Sequence, residues 1–392
     1  MLGQTRFAAW LAVLAVGLST FSVVTTEMLP VGLLTPIANA LGSSTGTAGT
    51  LISLPALLAA LFAPVVVVAA GGMDRRTLLC ALLALLVLAN IASALAPDMR
   101  WMLAARVLVG FCMGGIWAIA GGLAPRLVPA AAVGRATAII FGGVAAASVL
   151  GVPLGALIGD GIGWRWAFGA MAMLSALVLA LHMAVMPALP VASGVRAHHF
   201  VQQLGNRRLQ WGLLLTLLLV AGHFTAFTFV RPLLQTLSGF APGWIGALLF
   251  GYGIAGIAGN FLAGSVAGRH TALTVMTIAL GLLLAVAVFL VLGDTHAGGL
   301  AALLIWGLAY GGVSVALMRW MLQAAPHAVE VASALYVGVF NVGIAAGAWA
   351  GGQVLDAHGV AATLWVVGGC AVVALLVSMT ADRAAAQGAR SC

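Results

Sequence analysis

The chain consists of long apolar stretches separated by short polar breaks. A transmembrane helix needs about 20 consecutive apolar residues, and twelve stretches reach that length. The breaks carry residues that favour turns, such as Gly42-Ser43-Ser44 and Ala96-Pro97-Asp98. The pattern predicts an all-α membrane protein with twelve transmembrane helices. The predicted spans are residues 7–38, 46–70, 77–97, 100–126, 134–159, 165–188, 210–237, 243–268, 272–292, 297–325, 330–355 and 360–381.

The composition excludes a water-soluble domain. Of the 392 residues, 63% are hydrophobic and only 6% are charged, which leaves too little polar surface to cover a soluble fold. The net charge of +8 would suggest a nucleic-acid partner in a soluble protein. Here the arginines fall mostly in short loops, so we expect no nucleic acid and interpret the charge as a determinant of membrane orientation.

The arginine distribution predicts the orientation. With the N-terminus inside, nearly all arginines lie in inner loops or at the termini, while Arg100 and Arg165 alone fall in outer loops. Cytoplasmic loops carry such an excess of basic residues, so we expect both termini to be cytoplasmic. The run after Arg6 is too long for a cleaved signal peptide and contains Glu27, so we expect it to be retained as the first span.

A polar stretch divides the chain into two similar halves. Residues 189–209 are predicted to be a cytoplasmic linker between six-helix bundles at 1–188 and 210–381, followed by a cytoplasmic tail at 382–392. Features of the first half recur in the second at a nearly constant offset: Gly114-Gly115 in Gly311-Gly312, Arg135 to Ala138 in Ala332 to Leu335, and Asp160 in Asp356. Parallel six-helix repeats with a substrate site between them are typical of transporters.

Two opposite charges are predicted inside the membrane in the first half. Glu27 lies about 27 Å along the first span, and Arg106 lies about 9 Å below the outer end of the fourth, so both fall in the outer half. Intramembrane ionisable residues are functional by default. A carboxyl group near an arginine can change its protonation state with access or substrate, as proton coupling requires; a static ion pair holding the two spans together is the alternative.

Other polar and aromatic side chains in the spans are candidates for a substrate cavity. His223 can relay protons, bind substrate, or be a buried histidine with one hydrogen bond. Asn341 can contact substrate or bond to another helix, and Arg231 can line the cavity or reach the lipid headgroups. The candidates for the cavity are Thr26, Trp117, His223, Arg231, Tyr252, Tyr310 and Asn341.

Three motifs resemble those of the major facilitator superfamily. Asp74-Arg75-Arg76 is similar to a shortened form of its loop motif G-x-x-x-D-R-x-G-R-R, and Arg106-x-x-x-Gly110 is similar to its fourth-helix motif. Gly151-Val152-Pro153-Leu154-Gly155 resembles its antiporter motif in the fifth helix, where Pro153 should also introduce a kink. The resemblance covers the whole chain and implies the twelve-helix fold of that superfamily.

The first span narrows the resemblance to the drug:proton antiporter subfamily. Thr25 to Gly32, Gly163-Trp164-Arg165 and Ser333 to Gly343 are similar to its sugar, arabinose-like and purine-nucleoside exporters. The resemblance implies that Glu27 carries the proton, assisted by Arg106. It also implies that Asp74, Arg75 and Arg76 form a conformational latch at the inner face, with Gly151, Pro153 and Gly155 as the antiporter element.

The resulting hypothesis is a secondary transporter in a bacterial inner membrane that exports a sugar, nucleoside or drug-like solute in exchange for protons. A proton-coupled or passive importer is the alternative, and a membrane receptor or enzyme is a remote one. The sequence contains no H-E-x-x-H motif and no phosphate-binding G-x-x-x-x-G-K-[ST] loop. Cys80, Cys112, Cys370 and Cys392 have no metal-ligand spacing. We therefore expect no enzyme activity, metal or cofactor, and nothing in the sequence requires more than a monomer.

Overall fold

A computed structural model describes residues 6–70, 73–120, 122–190 and 205–390. These ranges are almost entirely helical and include twelve helices long and apolar enough to cross a membrane, as the hydrophobic pattern predicts. We number these helices α1 to α12. Their bounds are α1 Arg6–Ala40, α2 Thr50–Ala70, α3 Arg75–Ala94, α4 Met99–Ala120, α5 Ala130–Ile162, α6 Trp164–Val185, α7 Arg207–Phe227, α8 Ile245–Ala267, α9 Thr271–Leu292, α10 His296–Ala324, α11 Val329–His358 and α12 Val360–Arg390.

Side-chain caps fix several helix starts. Asp74 accepts hydrogen bonds from the amides of Arg76 and Thr77 at the start of α3. Asn206 does the same at the start of α7. The first amides of a helix have no partner within it, so a side-chain acceptor at this position stabilises the end. The cap at Asn206 explains why α7 begins at Arg207, inside the predicted linker 189–209; residues 191–204 of that linker lie outside the described chain.

The predicted span 210–237 is not one continuous helix. The structure ends α7 at Phe227, and a separate short helix, Val230–Thr236, follows. Pro232 explains the break, because its ring removes an amide donor and clashes with the carbonyl four residues earlier. A second irregularity lies in α5, where Ala147–Gly151 form a π-helical turn that ends two residues before Pro153, the position at which the sequence predicts a kink.

The described chain divides into two compact units. One contains the described residues of Met1–Ser43 and Leu54–Val195, and the other those of Ser44–Ser53 and Arg196–Cys392. In the first unit α1 packs against α5 and α6, while α3 packs against α4 and α6. In the second unit α7 packs against α11 and α12, while α9 packs against α10 and α12. Each unit therefore repeats the same arrangement of helices.

Glycine packing confirms the internal repeat at the level of single residues. A side chain on Gly114 would meet the backbone of Ala59 in α2, and one on Gly311 would meet the backbone of Gly256 in α8. Their neighbours pack equivalently, since Gly115 faces α3 and Gly312 faces α8 and α9. The paired glycines thus serve close helix approach in both halves, which explains why they recur at a constant offset.

Candidate functional site

Glu27 is buried in the middle of α1. Its side chain is 3% exposed, and the neighbouring Thr25 and Thr26 are buried as well. Within the described chain, Glu27 Oε1 has no hydrogen-bond partner. Burying a carboxyl oxygen without a hydrogen-bond partner costs free energy of folding. Glu27 is therefore a candidate functional residue rather than a structural one.

Arg106 of α4 lies beside this carboxyl group. Its side chain is fully buried, and one guanidinium nitrogen, Nη1, donates to the backbone carbonyl of Thr26 at 2.8 Å. The guanidinium carbon lies 4.8 Å from the centre of the Phe168 ring of α6. Among the described residues, Nε and Nη2 have no hydrogen-bond partner. We call Thr26, Glu27, Arg106 and Phe168 the Glu27 cluster.

Glu27 and Arg106 interact electrostatically, but no hydrogen bond joins these two described side chains. The arginine instead donates a hydrogen bond to the α1 backbone one residue before Glu27. This contact keeps its positive charge near the carboxyl group. Both groups retain unused hydrogen-bonding capacity. This arrangement differs from a static ion pair, in which carboxylate and guanidinium satisfy each other directly.

The glycines of α5 allow it to lie directly against α1. A side chain on Gly151 would overlap Thr25, and one on Gly155 would overlap Leu29. These contacts flank Glu27 in sequence, so the fifth-helix motif fixes the position of the α1 segment that carries it. Pro153 is buried between the two glycines.

The second unit contains a buried aromatic cluster around His223 of α7. The imidazole stacks on the ring of Tyr310 with centroids 3.4 Å apart and on that of Phe227 at 4.6 Å. Phe227 in turn packs against Tyr252 of α8 at 4.7 Å. We call the six residues the His223 cluster: His223, Phe224, Phe227, Tyr252, Trp306 and Tyr310.

A hydrogen bond sets the state of His223. Trp306 Nε1 lies 3.0 Å from His223 Nδ1, and an indole N–H can only donate. Nδ1 therefore accepts, which defines a neutral imidazole with its proton on Nε2. Of the three interpretations open from the sequence, proton relay is disfavoured, because a second ring proton on Nδ1 would break this bond.

Several buried polar atoms of the second unit lack hydrogen-bond partners within the described chain. Two of them, the Tyr310 hydroxyl and the Oδ1 atom of Asn341, belong to predicted cavity residues. The amide nitrogen of Asn341 donates to the carbonyl of Val337 on its own helix, so the side chain does not bond across to another helix. Buried polar groups are normally paired, so the Tyr310 hydroxyl and Asn341 Oδ1 are candidate contacts for a bound solute.

Two predicted cavity residues, Arg231 and Trp117, are not among the residues that define the two clusters. Arg231 is only 2% exposed, which contradicts the interpretation that it reaches the headgroups and leaves an internal role. Trp117 of α4 is half-buried and packs against Phe141 of α5, with ring centroids 6.0 Å apart. The tryptophan therefore contributes to helix packing.

The predicted latch residues gather around the segment that follows α6. Asp74 accepts a hydrogen bond from the amide of Leu189, and the amide of Arg75 donates to the Leu189 carbonyl. Arg76 donates to the carbonyl of Met183 at 2.7 Å. The start of α3 thus holds the end of α6 and the residues after it.

Several residues of the two clusters escaped sequence reasoning. Phe168, Phe227 and Trp306 look like ordinary apolar residues in apolar helices, and nothing in their spacing singles them out. Asn90 was detectable, since it is an amide in the middle of the third predicted span. It donates to the Thr26 hydroxyl at 3.1 Å.

The two clusters occupy equivalent positions in the repeat. The offset that relates Gly114 to Gly311 also relates Thr26 to His223. In each unit the fourth helix of the repeat donates a hydrogen bond to this position, from Arg106 to Thr26 and from Trp306 to His223. The same helix pair therefore builds a charged site in one unit and an aromatic site in the other.

Comparison with known proteins identifies the class of protein that this architecture represents. The family model of the Major Facilitator Superfamily matches residues 16–337. The chain belongs to that family, and it is a multi-pass membrane transporter.

The chain resembles particular members along almost its whole length. It is 34% identical to the transcription regulatory protein OpdE of Pseudomonas aeruginosa, over 96% of this chain and 95% of that protein. It is 32% identical to the purine ribonucleoside efflux pump NepI of Salmonella paratyphi A, over 94% and 93% of the respective chains.

Solved structures show the same fold. A bacterial homologue of the human lysosomal transporter Spinster, in its inward-facing occupied form, matches with a TM-score of 0.77 at 17% identity. The match covers 97% of this chain and 98% of that one. The unoccupied form of the same homologue matches with a TM-score of 0.73.

Proposed function

We propose that this protein exports a small organic solute in exchange for protons, by alternating access between its two six-helix halves. Relatives at 31–32% identity are named purine ribonucleoside efflux pumps. Purine ribonucleosides are therefore the first candidates for the solute, followed by the sugars and drug-like compounds that the sequence suggests.

The observation that carries this proposal is the state of Glu27. Its carboxyl group is buried, has an unpartnered oxygen and lies within the field of Arg106. Ionisable groups at such positions in membrane transporters are typical of ion and proton pathways. Because Arg106 also retains two unpartnered nitrogens, it can bind the carboxylate in one state and release it in another.

The proposed cycle uses these two side chains as follows. A proton from the outer side binds Glu27 and removes its negative charge, which weakens the attraction to Arg106. The halves then change access, and the proton leaves toward the inner side. Deprotonation restores the attraction to Arg106, and the solute moves outward in the opposite phase. The two states must differ in their affinity for the proton, since only differential binding can shift such an equilibrium.

The His223 cluster is the proposed site for the solute. Aromatic faces with a few polar atoms suit an uncharged, flat or ring-shaped compound such as a nucleoside. Within this cluster the Tyr310 hydroxyl supplies an unpartnered polar contact, and Oδ1 of Asn341 on α11 is a further unpartnered acceptor of the same unit. None of the six residues of the His223 cluster carries a full charge. Binding of an uncharged solute there therefore does not interfere with the change of charge at Glu27.

The remaining assignments complete this proposal. We place the protein as a monomer in a bacterial inner membrane with both termini in the cytoplasm, in accordance with the arginine distribution. Asp74, Arg75 and Arg76 then lie at the inner face, where their hold on Met183 and Leu189 is the proposed conformational latch.

The experiment is solute flux in proteoliposomes with an imposed pH gradient and an internal pH dye. Adenosine, guanosine and inosine are tested first, followed by sugars, amino acids and lipophilic cations. We expect one class to drive proton movement in the direction opposite to the solute. Glu27→Gln should abolish that proton movement while the variant still exchanges labelled for unlabelled solute at equal pH.

Asp294→Asn is the matched control, because it removes one exposed acid outside the spans. The control should behave as wild type. Coupled flux of normal rate in Glu27→Gln would refute the role of this carboxyl group, and flux in the same direction as the protons would replace export by the importer alternative.

A sensory role is the second candidate, since one relative at 34% identity is named a transcription regulatory protein. A receptor binds its solute without moving it. Binding of a nucleoside to the purified protein with no flux in the proteoliposomes would favour that role over transport.

A further inference from the structure

Both faces of the His223 imidazole are covered by other rings. The side chain is 1% exposed. The rings of Tyr310 and Phe227 stack on it, with centroids 3.4 Å and 4.6 Å away and planes inclined by 11° and 24°. Two rings stacked at these distances cannot share one face of an imidazole, so they lie on opposite faces. Only the edge of the imidazole is left for a further contact.

One of the two nitrogens on that edge is already used. Nδ1 accepts the hydrogen bond from Trp306 Nε1 at 3.0 Å, so the ring proton is on Nε2. This N–H makes no hydrogen bond to a residue that the structure describes. Buried donors are normally paired, and leaving one unpaired costs free energy. A histidine that served only as the acceptor for Trp306 would leave this cost unexplained.

The Nε2–H group differs in kind from the other polar groups of the His223 cluster. The hydroxyls of Tyr252 and Tyr310 can donate or accept, so they can adapt to either kind of partner. The indole N–H of Trp306 can only donate, and it is occupied by His223. Within this cluster, His223 therefore supplies the donor-only group that remains available, and its partner must be a hydrogen-bond acceptor.

This requirement favours one of the solute classes considered above. The hydroxyls of a sugar donate as well as accept, so a sugar does not need a donor-only group. A lipophilic cation gains nothing from a donor. A purine carries a fixed acceptor at N7, in adenine and guanine alike, and this atom lies on the side of the base away from the ribose.

Hydroxyl groups that suit the ribose lie in the same unit. The chain contains three tyrosines, and both Tyr252 and Tyr336 act electrostatically on Tyr310. Tyr310 is also the residue whose ring stacks on His223. A phenolic hydroxyl can match either the donor or the acceptor side of a sugar hydroxyl. The base and the ribose of one nucleoside can thus both find partners in this unit.

We propose that His223 determines the specificity for the base, by donating a hydrogen bond from Nε2–H to N7 of a purine nucleoside. This inference rests on the proposed function, because it specifies the solute of the site already proposed there. Trp306 is then a positioning residue: its hydrogen bond to Nδ1 keeps the ring proton on Nε2, where it faces the solute.

The test measures exchange of labelled adenosine in proteoliposomes at equal pH, with unlabelled nucleosides as competitors. In 7-deazaadenosine a C–H group replaces N7, and in the matched control 3-deazaadenosine N7 is retained. We expect half-inhibition by 7-deazaadenosine to require about tenfold more compound than by adenosine, on the scale of one lost hydrogen bond. The 3-deaza analogue should inhibit as adenosine does.

Variants separate a direct contact from a structural role. In His223→Phe both adenosine and 7-deazaadenosine should bind weakly and equally, so their tenfold ratio should fall to about one, as in a double-mutant cycle. A variant that merely loosened the site would weaken both compounds and keep the ratio. Tyr310→Phe is the matched control and should keep it, since its imidazole edge is intact. If His223→Phe is too unstable to purify, His223→Gln, which retains a donor, should keep part of the preference.

The outcomes distinguish this inference from the proposed function. Equal inhibition by adenosine and 7-deazaadenosine in the wild type would overturn the contact with N7, and a ratio that persists in His223→Phe would overturn the role of His223. If adenosine is neither exchanged nor inhibitory while another solute drives proton movement, this inference fails and proton-coupled export stands. If adenosine is exchanged with the expected preference but no solute moves protons, base recognition stands and proton coupling fails.

Discussion

The Glu27 cluster and the His223 cluster occupy equivalent positions in the two repeats but differ in chemistry. Around Thr26 the first unit has a carboxyl group, a guanidinium group and hydroxyls. Around His223 the second unit has stacked rings and a neutral imidazole held by Trp306. The Arg106 position corresponds by the repeat offset to Leu303, an apolar residue that is fully buried.

This difference shows how one helical arrangement can host two tasks. Equivalent helices provide equivalent positions in the two units. The side chains at those positions determine whether the site is charged or aromatic. Separating the proposed proton site from the proposed solute site allows each to change without remodelling the other. Three of the four predictions below test that separation and one tests the packing of the helices, and they are given from the largest expected effect to the smallest.

Arg106→Ala should have the largest effect. It leaves Glu27 buried without its positive neighbour, and breaking a buried charge pair costs about 3 kcal/mol or more. Coupled flux should fall by about a hundredfold, the scale of a lost proton-transfer group. Unfolding in detergent and flux in proteoliposomes measure the two effects. Adding Glu27→Gln should recover part of the stability; no recovery would show that the arginine stabilises the fold through its hydrogen bond to Thr26 and its contact with Phe168 rather than through Glu27.

Alanine at a helix-packing glycine should be tolerated less where the added carbon meets backbone than where it meets a side chain. Gly347 of α11 meets the backbone of Ala221 in α7, whereas Gly151 of α5 meets the side chain of Thr25. Backbone cannot rotate away, so we expect a loss of about 3 kcal/mol for Gly347→Ala and about 1 kcal/mol for Gly151→Ala. Gly142→Ala is the control, because no atom lies within 4 Å of its added carbon.

Unfolding free energies of these three variants give the comparison. Equal losses for Gly347→Ala and Gly151→Ala would contradict the expected difference between a backbone contact and a side-chain contact.

His223→Phe should weaken solute binding and leave proton coupling unchanged. It preserves an aromatic ring but leaves Trp306 Nε1 without its acceptor, so we expect KM to rise about tenfold, equivalent to about 1.4 kcal/mol. The pH dependence of coupled flux should match that of the wild type. A variant that exchanges solute but no longer moves protons would place His223 on the proton path and end the separation of tasks.

Tyr310→Phe should have the smallest effect and the most specific one. Its hydroxyl has no partner in the described chain, so removing it should leave the unfolding free energy unchanged or slightly higher. If the solute uses that hydroxyl, KM should rise about fivefold, equivalent to about 1 kcal/mol. Trp306→Phe is the comparison variant, since it removes a bond the protein does make and should lower stability.

Much of the fold was predictable from sequence because the bilayer imposes a strong constraint. Every backbone polar group must be satisfied within the membrane, so long apolar segments can only be helices. The twelve spans follow from that rule, and the repeat follows from glycines such as Gly114 and Gly311 whose packing is the same in both halves. Pro232, which explains the break between the two helices, is visible in the sequence. It lies within an apolar run, however, and we predicted that run as one continuous span.

The sites were only partly predictable. Glu27, Arg106 and His223 stand out because polar side chains are rare in apolar spans. Placing such a side chain in a membrane costs free energy, so its presence indicates a function. Their partners do not stand out. Phe168 and Trp306 are apolar or aromatic residues like many others, and only the packing of α6 and α10 brings them to the charged and imidazole groups.

The sequence by itself determined the membrane setting, the helix count, the repeat and the identity of the unusual polar residues, because hydrophobicity and residue type act locally. Tertiary structure alone decided which of these residues meet. It separated Glu27 from direct bonding with Arg106, fixed His223 in a neutral state and aligned Ser19 with His182, which are 163 residues apart. Hydrogen bonds and ring contacts depend on distances of a few ångströms, and those distances exist only once helices from distant parts of the chain have packed together.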